Sequence, residues 1–325
     1  MNSGISIIVP AYNAGKTIER CVHSLLSQTM KDIRIIIVDD ASVDNTWAIL
    51  TELEKISPDK ICIIHSDENR GPGGARNIAL DYVDTKYIGF VDSDDYVATW
   101  FCERAVYEAE KNGYDIVDVG YYDENRDLSV LRTPPDLRGE LNDSKRDRLI
   151  SFGGFLCTKI IRSDLYADND IRYRENRTLE DSEVLIELIA RAGAIGAVED
   201  VSYWYSATEG SLSKDKDAYR YVRDKIDAME AIYALNDRID NYDALRNGIE
   251  YVMLTMYEYA IERVVLDYEA GGKLDGLKIL KRLADTRNKC ISQGYDNPYV
   301  LDGMSDKTIK LMIQNDRDPK SILKR

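Results

Sequence analysis

Between residues 5 and 91 the chain alternates between short apolar runs and stretches whose apolar residues recur at helical spacing. The runs Ile5–Val9, Ile33–Val38, Ile61–His65 and Tyr87–Val91 are short and mostly β-branched, the pattern of strands buried on both faces. The stretches between them, Thr17–Gln28, Thr46–Ile56 and Gly73–Val83, read as helices; in the first, Ile18, Cys21, Val22, Leu25 and Leu26 form one apolar stripe. Strand and helix in this rhythm mean βαβ units, and so an α/β fold on a mainly parallel sheet flanked by helices. Ligands of such sheets sit beyond the carboxyl ends of the strands. Here those ends carry Pro10-Ala11-Tyr12-Asn13, Asp39-Asp40 and Asp92-Ser93-Asp94-Asp95, so these polar clusters are expected to converge on one crevice.

Further along, a helix is expected from Trp100 to about Asn112 and a strand over Asp115–Val119. Tyr122–Lys145 reads as a long polar surface excursion. Core-like patterns resume over Phe152–Leu165, a helix over Thr178–Ala192 opens with Glu180-Asp181, and Ala197–Tyr205 is a strand closed by Glu209-Gly210-Ser211. From about Lys214 the apolar period becomes 3.6, glycines thin out and β-branched runs vanish, which marks a helical C-terminal region. Two regions are therefore expected, 1–213 and 214–325, in line with a length of 325 residues.

The formal net charge of -15 argues against nucleic acid and anionic lipid surfaces as partners, while a small anionic substrate is admissible if a divalent metal and a few arginines invert the field locally. The cysteines Cys21, Cys62, Cys102, Cys157 and Cys290 are widely spaced and odd in number, as free thiols in a reducing, cytoplasmic compartment would be. No signal peptide and no membrane span is expected, which leaves peripheral association at the inner face of the membrane as the form of contact. With only His23 and His65 present, both read as structural, the chemistry must rest on carboxylates rather than on zinc or a histidine triad.

Asp92-Ser93-Asp94 puts two carboxylates on one side of an extended segment, where both can reach a hard cation. The same triplet recurs as Asp168-Asn169-Asp170, Asp215-Lys216-Asp217 and Asp316-Arg317-Asp318, which read as solvated loops or helix ends. What distinguishes the first is the buried strand behind it, since unpaired carboxylates there are costly without an ionic ligand. Asp39-Asp40 reads either as a ligand site or as a cap of the helix near Thr46. Tyr12 reads as packing or as an aromatic face at the crevice. Gly71-Pro72-Gly73-Gly74-Ala75-Arg76-Asn77 is similar to a phosphate-cradling loop, but it follows the third strand and lacks the dinucleotide fingerprint. Glu180 and Asp181 read as partners of a helix dipole or as functional acids.

Together these stretches resemble the family 2 inverting glycosyltransferases of bacterial polysaccharide biosynthesis. The resemblance rests on Ile7-Ile8-Val9-Pro10-Ala11-Tyr12-Asn13, Ile37 to Thr46, Asn69 to Asn77, Phe90 to Asp95 and Leu179-Glu180-Asp181, and covers about the first 213 residues. It implies a GT-A fold, a Rossmann-like sheet, and a nucleotide-diphosphate sugar donor, most often a UDP-sugar. It implies that Pro10 and Tyr12 line the base pocket, with Tyr12 stacked on uracil and Asp40 bonded to the base. Arg76 would lie near base and ribose, Asp92 near ribose and metal with Ser93 beside it, and Asp94 on the metal, Mn²⁺ or Mg²⁺. Asp181 matches the catalytic base, with Glu180 positioning base or acceptor, and the acceptor would be a saccharide or lipid-linked saccharide.

One departure stands out. In many relatives the segment matching Tyr203 to Ser213 carries Arg or His before its Gly-Ser pair, facing the diphosphate, whereas Ser206, Ala207 and Thr208 supply no charge. Either Lys214 or another basic residue substitutes, or the metal suffices. The competing functional readings are an inactive glycosyltransferase-like scaffold and a sugar-nucleotide nucleotidyltransferase; the latter wants a basic glycine-rich loop after the first strand, which Pro10-Ala11-Tyr12-Asn13 is not. The C-terminal helices are expected to complete the acceptor site, to form a homodimer or to dock on a membrane-bound partner.

Overall fold

The computed structural model describes residues 2–131, 133–206, 217–272 and 275–323. The expected boundary at 213/214, the Glu209-Gly210-Ser211 turn, Ala207, Thr208 and Lys214 lie outside the described residues. The described residues form two compact units, one of residues 2–141 and 154–206, the other of 142–153 and 217–323.

In the first unit the strands are β1 (Asn2–Ala11), β2 (Ile33–Asp39), β3 (Ile61–His65), β4 (Thr85–Phe90), β5 (Tyr96–Val97), β6 (Ile116–Asp123), β7 (Leu128–Val130), β8 (Gly139–Glu140), β9 (Lys159–Arg162) and β10 (Ala194–Tyr205). The main path of the sheet runs β3-β2-β1-β4-β9-β6-β10-β5. Pairs β3/β2, β2/β1, β1/β4 and β6/β10 are parallel, and β9 lies antiparallel to both β4 and β6. The helices of this unit are α1 (Ile18–Leu26), α2 (Thr46–Ile56), α3 (Gly71–Leu80) and α4 (Phe101–Asn112), followed below by α6 (Asp164–Ala167) and α7 (Ser182–Arg191).

The alternation of the strands decides which face each helix covers. Ile5, Ile7, Val9, Ile35 and Ile37 share one core cluster with residues of α1, α2 and α4. Phe90 points into a second aromatic group with Tyr166 and Tyr173, whose ring centroids lie 6.1 Å from its own. Both faces are thereby buried, which is why these strands read as continuous apolar runs. Gly113 ends α4 in the left-handed conformation, φ 69°, that a residue with a Cβ adopts only at a cost.

The polar excursion over Tyr122–Lys145 is more ordered than its composition suggests: β7 pairs with β6, β8 pairs with β10, and a helix, α5 (Asp143–Ser151), begins within it. That helix belongs to the second unit. There Asp147 accepts from the Gly248 N–H at 2.6 Å and from the Tyr299 hydroxyl at 2.8 Å. The rest of the second unit is helical: α8 (Ala218–Ala234), α9 (Arg246–Glu269), α10 (Gly276–Cys290), α11 (Pro298–Gly303), α12 (Asp306–Arg317) and α13 (Pro319–Ile322). Among the described residues no helix is long and apolar enough to cross a membrane.

Candidate active site

The parallel register brings the polar ends of the strands level. Ala11 pairs with Asp39 and Asp39 with His65, so the residues that follow emerge side by side. The loops after β1 and β2 are stitched to one another: the Asn13 N–H donates to Ser42 Oγ (2.9 Å), the Val43 N–H to Asn13 Oδ1 (2.9 Å), and the Ala14 N–H to Thr46 Oγ1 (2.8 Å). Asn13 and Ala41 sit at φ 50° and 59°, left-handed conformations that a non-glycine residue holds only where its surroundings enforce them. Tyr12 stands at the top of this loop pair with half of its surface exposed.

The two adjacent acids after β2 do different work. Asp40 Oδ1 accepts from the Arg70 N–H at 2.8 Å, which fixes the turn before α3, and burial raises the Asp40 pKa. The cap of α2 read for Asp39-Asp40 is not formed by that pair; the Thr46 N–H is instead bonded by Asp44 Oδ1 at 3.0 Å. Asp39 is fully buried; its Oδ2 meets His65 Nδ1 at 2.8 Å, and its Oδ1 is buried with no hydrogen-bond partner. A buried carboxylate oxygen left open at a strand end points to a missing donor. His65, read from sequence as structural, is therefore the group that orients Asp39, with its ring tilted against Trp47 at 5.0 Å.

The acidic turn after β4 is likewise divided. Asp95 is the buried member: its Oδ2 accepts from the Tyr203 hydroxyl at 2.5 Å and its Oδ1 from the Ser206 N–H at 2.7 Å. Burial, together with the neighbouring charge of Asp92, pushes its pKa up to about 8. Asp95 thus anchors the end of β10 to this turn, a role the triplet reading did not assign. Asp92, Ser93 and Asp94 remain partly exposed, and Asp92 also receives Arg76 Nη2 at 3.2 Å.

Arg76 joins that turn to the third cluster. It is buried, pairs through Nη1 with Glu180 and through Nη2 with Asp92, and lies 5.6 Å from the centre of the Tyr173 ring. The glycines before it allow this approach: a Cβ on Gly73 would lie 2.2 Å from the Arg174 carbonyl oxygen and 3.0 Å from Glu180 Cγ. These glycines thus press α3 against the segment that carries Glu180. That segment is itself strained, with Leu179 at φ 60° and its carbonyl held by Arg174 Nη2 at 3.1 Å. Helix α7 starts only at Ser182, so Glu180 and Asp181 precede it; Asp181 occupies the capping position but its side chain makes no cap. Burial first, then the Glu180 charge, raise the Asp181 pKa to about 7, against the pull of Arg76.

Of the residues singled out in the sequence, Asp92, Arg76, Glu180 and Asp181 form one connected cluster, and Asp94 flanks it on the same turn. Asp39 and Asp95 were read only as members of acidic clusters, and His65 only as structural; Tyr203 was given no role at this turn. The only signal for Asp39 was its adjacency to Asp40, and for Asp95 its adjacency to Asp94.

Comparisons with known proteins identify the family and the fold. The profile described as Glycosyl transferase family 2 matches residues 6–167. The UDP-Glc:α-D-GlcNAc-diphosphoundecaprenol β-1,3-glucosyltransferase WfaP of Escherichia coli is 30% identical over 215 residues, 65% of this chain and 80% of that protein. The uncharacterized glycosyltransferase EpsJ of Bacillus subtilis is 33% identical over 223 residues, 65% of this chain and 63% of EpsJ. Among solved structures, Staphylococcus aureus TarS 1–349 in complex with UDP-GlcNAc superposes with a TM-score of 0.69 at 20% identity, covering 99% of this chain and 92% of that one, which shows a shared GT-A fold. The chain belongs to glycosyl transferase family 2 and is a glycosyltransferase.

Proposed function

We propose that this chain transfers a sugar from a UDP-sugar to a hydroxyl of a saccharide or lipid-linked saccharide, with inversion. The observation that carries the reading is the Arg76 bridge, which joins Asp92 at the strand end to Glu180 beside Asp181. The names of WfaP and of the TarS complex, which specify UDP-Glc and UDP-GlcNAc, support a uridine nucleotide.

Tyr12 offers the exposed ring on which uracil stacks, next to Pro10. The base would be held at the Asp39-Asp40 pair, where Asp40 Oδ1 accepts from the Arg70 N–H and Asp39 Oδ1 is buried with no hydrogen-bond partner among the described residues. Asp92 and Asp94, with Ser93 between them, take the diphosphate end and would hold Mn²⁺ or Mg²⁺. Among the described residues no group of three or more His, Cys, Asp or Glu is placed to hold a metal by itself. A pair of carboxylates suits a cation that takes its remaining ligands from substrate phosphates. When bound, such an ion neutralises the charge that develops on the diphosphate as the glycosidic bond breaks.

Asp181 takes the proton of the acceptor hydroxyl while that oxygen attacks the anomeric carbon from the face opposite the diphosphate. One displacement inverts the centre. A carboxylate raised to about 7 is a stronger base than an ordinary one and is about half ionised at neutral pH. Glu180, gripped by Arg76, supplies part of that shift and holds the turn. The intact set of acids argues against the inactive-scaffold reading. UDP release measured with a panel of UDP-sugars, acceptors and Mn²⁺ tests the proposal: turnover is expected, and absence of both turnover and metal-dependent UDP binding contradicts it.

A further inference from the structure

A cation stands beside the Asp92–Asp94 turn. Arg20, on α1, donates from Nη2 to the Asp94 carbonyl oxygen at 2.7 Å and to Ser206 Oγ at 2.7 Å, and its guanidinium lies over the Tyr96 ring at 4.5 Å. Tyr96 in turn stacks on Trp204 at 5.5 Å and donates its hydroxyl to Glu124 at 2.9 Å. One nitrogen of the guanidinium thus carries both protein contacts, each to an uncharged oxygen. Among the described residues no ion pair is formed by Arg20, and the residue is exposed. A guanidinium has five N–H donors, so Nε and Nη1 remain open to an anion.

We infer that Arg20 is a diphosphate-binding residue of this chain, while fixing the Asp94 turn through its Nη2. The inference rests on the proposed use of the Asp92–Asp94 turn for the diphosphate end of the donor. Three acids crowd that turn in a chain of net charge -15, so a fixed cation beside Asp94 improves the field met by an incoming anion. Held by Ser206 Oγ, the Asp94 carbonyl and the Tyr96 ring, the guanidinium loses little conformational freedom when the anion arrives.

The test is calorimetry of UDP and of uridine, both with Mn²⁺, on the full chain and on its Arg20→Met and Arg20→Lys variants. Arg20→Met is expected to weaken UDP about tenfold or more, as loss of a hydrogen bond between charged groups does, and to leave uridine unchanged. Arg20→Lys is expected to fall between, because the charge survives and the fork does not. Uridine serves as the control for folding. Equal weakening of both ligands assigns Arg20 to the fold alone and overturns the inference, as does an unchanged UDP affinity. If the unsubstituted protein binds UDP no tighter than uridine, the diphosphate site itself is refuted, and the inference with it.

Discussion

The strand-end side of the site and the Arg76 side hold their acids by different physics. After β1 and β2, loop is tied to loop by hydrogen bonds between backbone N–H groups and neutral or acidic side-chain oxygens, such as Ala14 to Thr46 and Arg70 to Asp40. Around Arg76, a buried guanidinium holds Glu180 and Asp92, and Asp181 lies in the same field. The first arrangement is tolerant, because losing one hydrogen bond leaves neighbours in place. The second is not: a buried charge that loses its partner has no water to turn to. Binding of a base needs shape and a few polar atoms, whereas a raised pKa needs burial and charge, and the two sides are built accordingly.

Substitutions at the two sides should therefore fail in different ways. The largest effect is expected from Asp181→Asn, which removes the base with little change in shape: transfer should fall by roughly 10²–10⁴-fold, while UDP affinity stays unchanged. The same variant should melt higher. A folded-state pKa near 7, above the ordinary carboxylate value, means that stability is fully present at low pH and is lost as pH rises through about 7. The gain from Asp181→Asn should accordingly be seen at pH 8 and vanish near pH 4, by scanning calorimetry. Next in size is Arg76→Met, which strands Glu180 and Asp92 and should cost about 3–5 kcal/mol in denaturant unfolding. The smallest effect belongs to the tolerant side: His65→Leu frees Asp39 from its orienting partner and should weaken uridine binding about fivefold, the value of one hydrogen bond. A larger loss of stability from His65→Leu than from Arg76→Met would erase the distinction drawn between the two sides.

How legible each side was in the sequence follows from the same difference. Strands β1 to β4 and their helices show in the periodicity because both faces of the sheet are buried, and α2 and β3 have the bounds that the pattern predicts. Strand β9 spans four residues and runs against its neighbours, which is too short to show a period. The acidic clusters were visible, but adjacent acids look alike until burial separates them: Asp39 from Asp40, and Asp95 from Asp94. Nothing local to Arg76 announces that it meets Glu180, because the pairing closes a separation of 104 residues. Arg20 was hidden for the same reason, lying 186 residues from Ser206. The glycines before Arg76 suggested a phosphate loop, and their actual contact, the Arg174–Glu180 segment, became visible only in three dimensions.

The central claim is that burial and the charge of Glu180 make Asp181 the base, and the pH dependence of the single-turnover rate of sugar transfer at saturating donor, acceptor and Mn²⁺ tests it most directly. The rate should climb about tenfold per pH unit on the acid side and level off above about 7, as the Asp181 carboxylate becomes ionised. A rate already flat from pH 5 upward, with the same profile in Asp181→Asn, would contradict it.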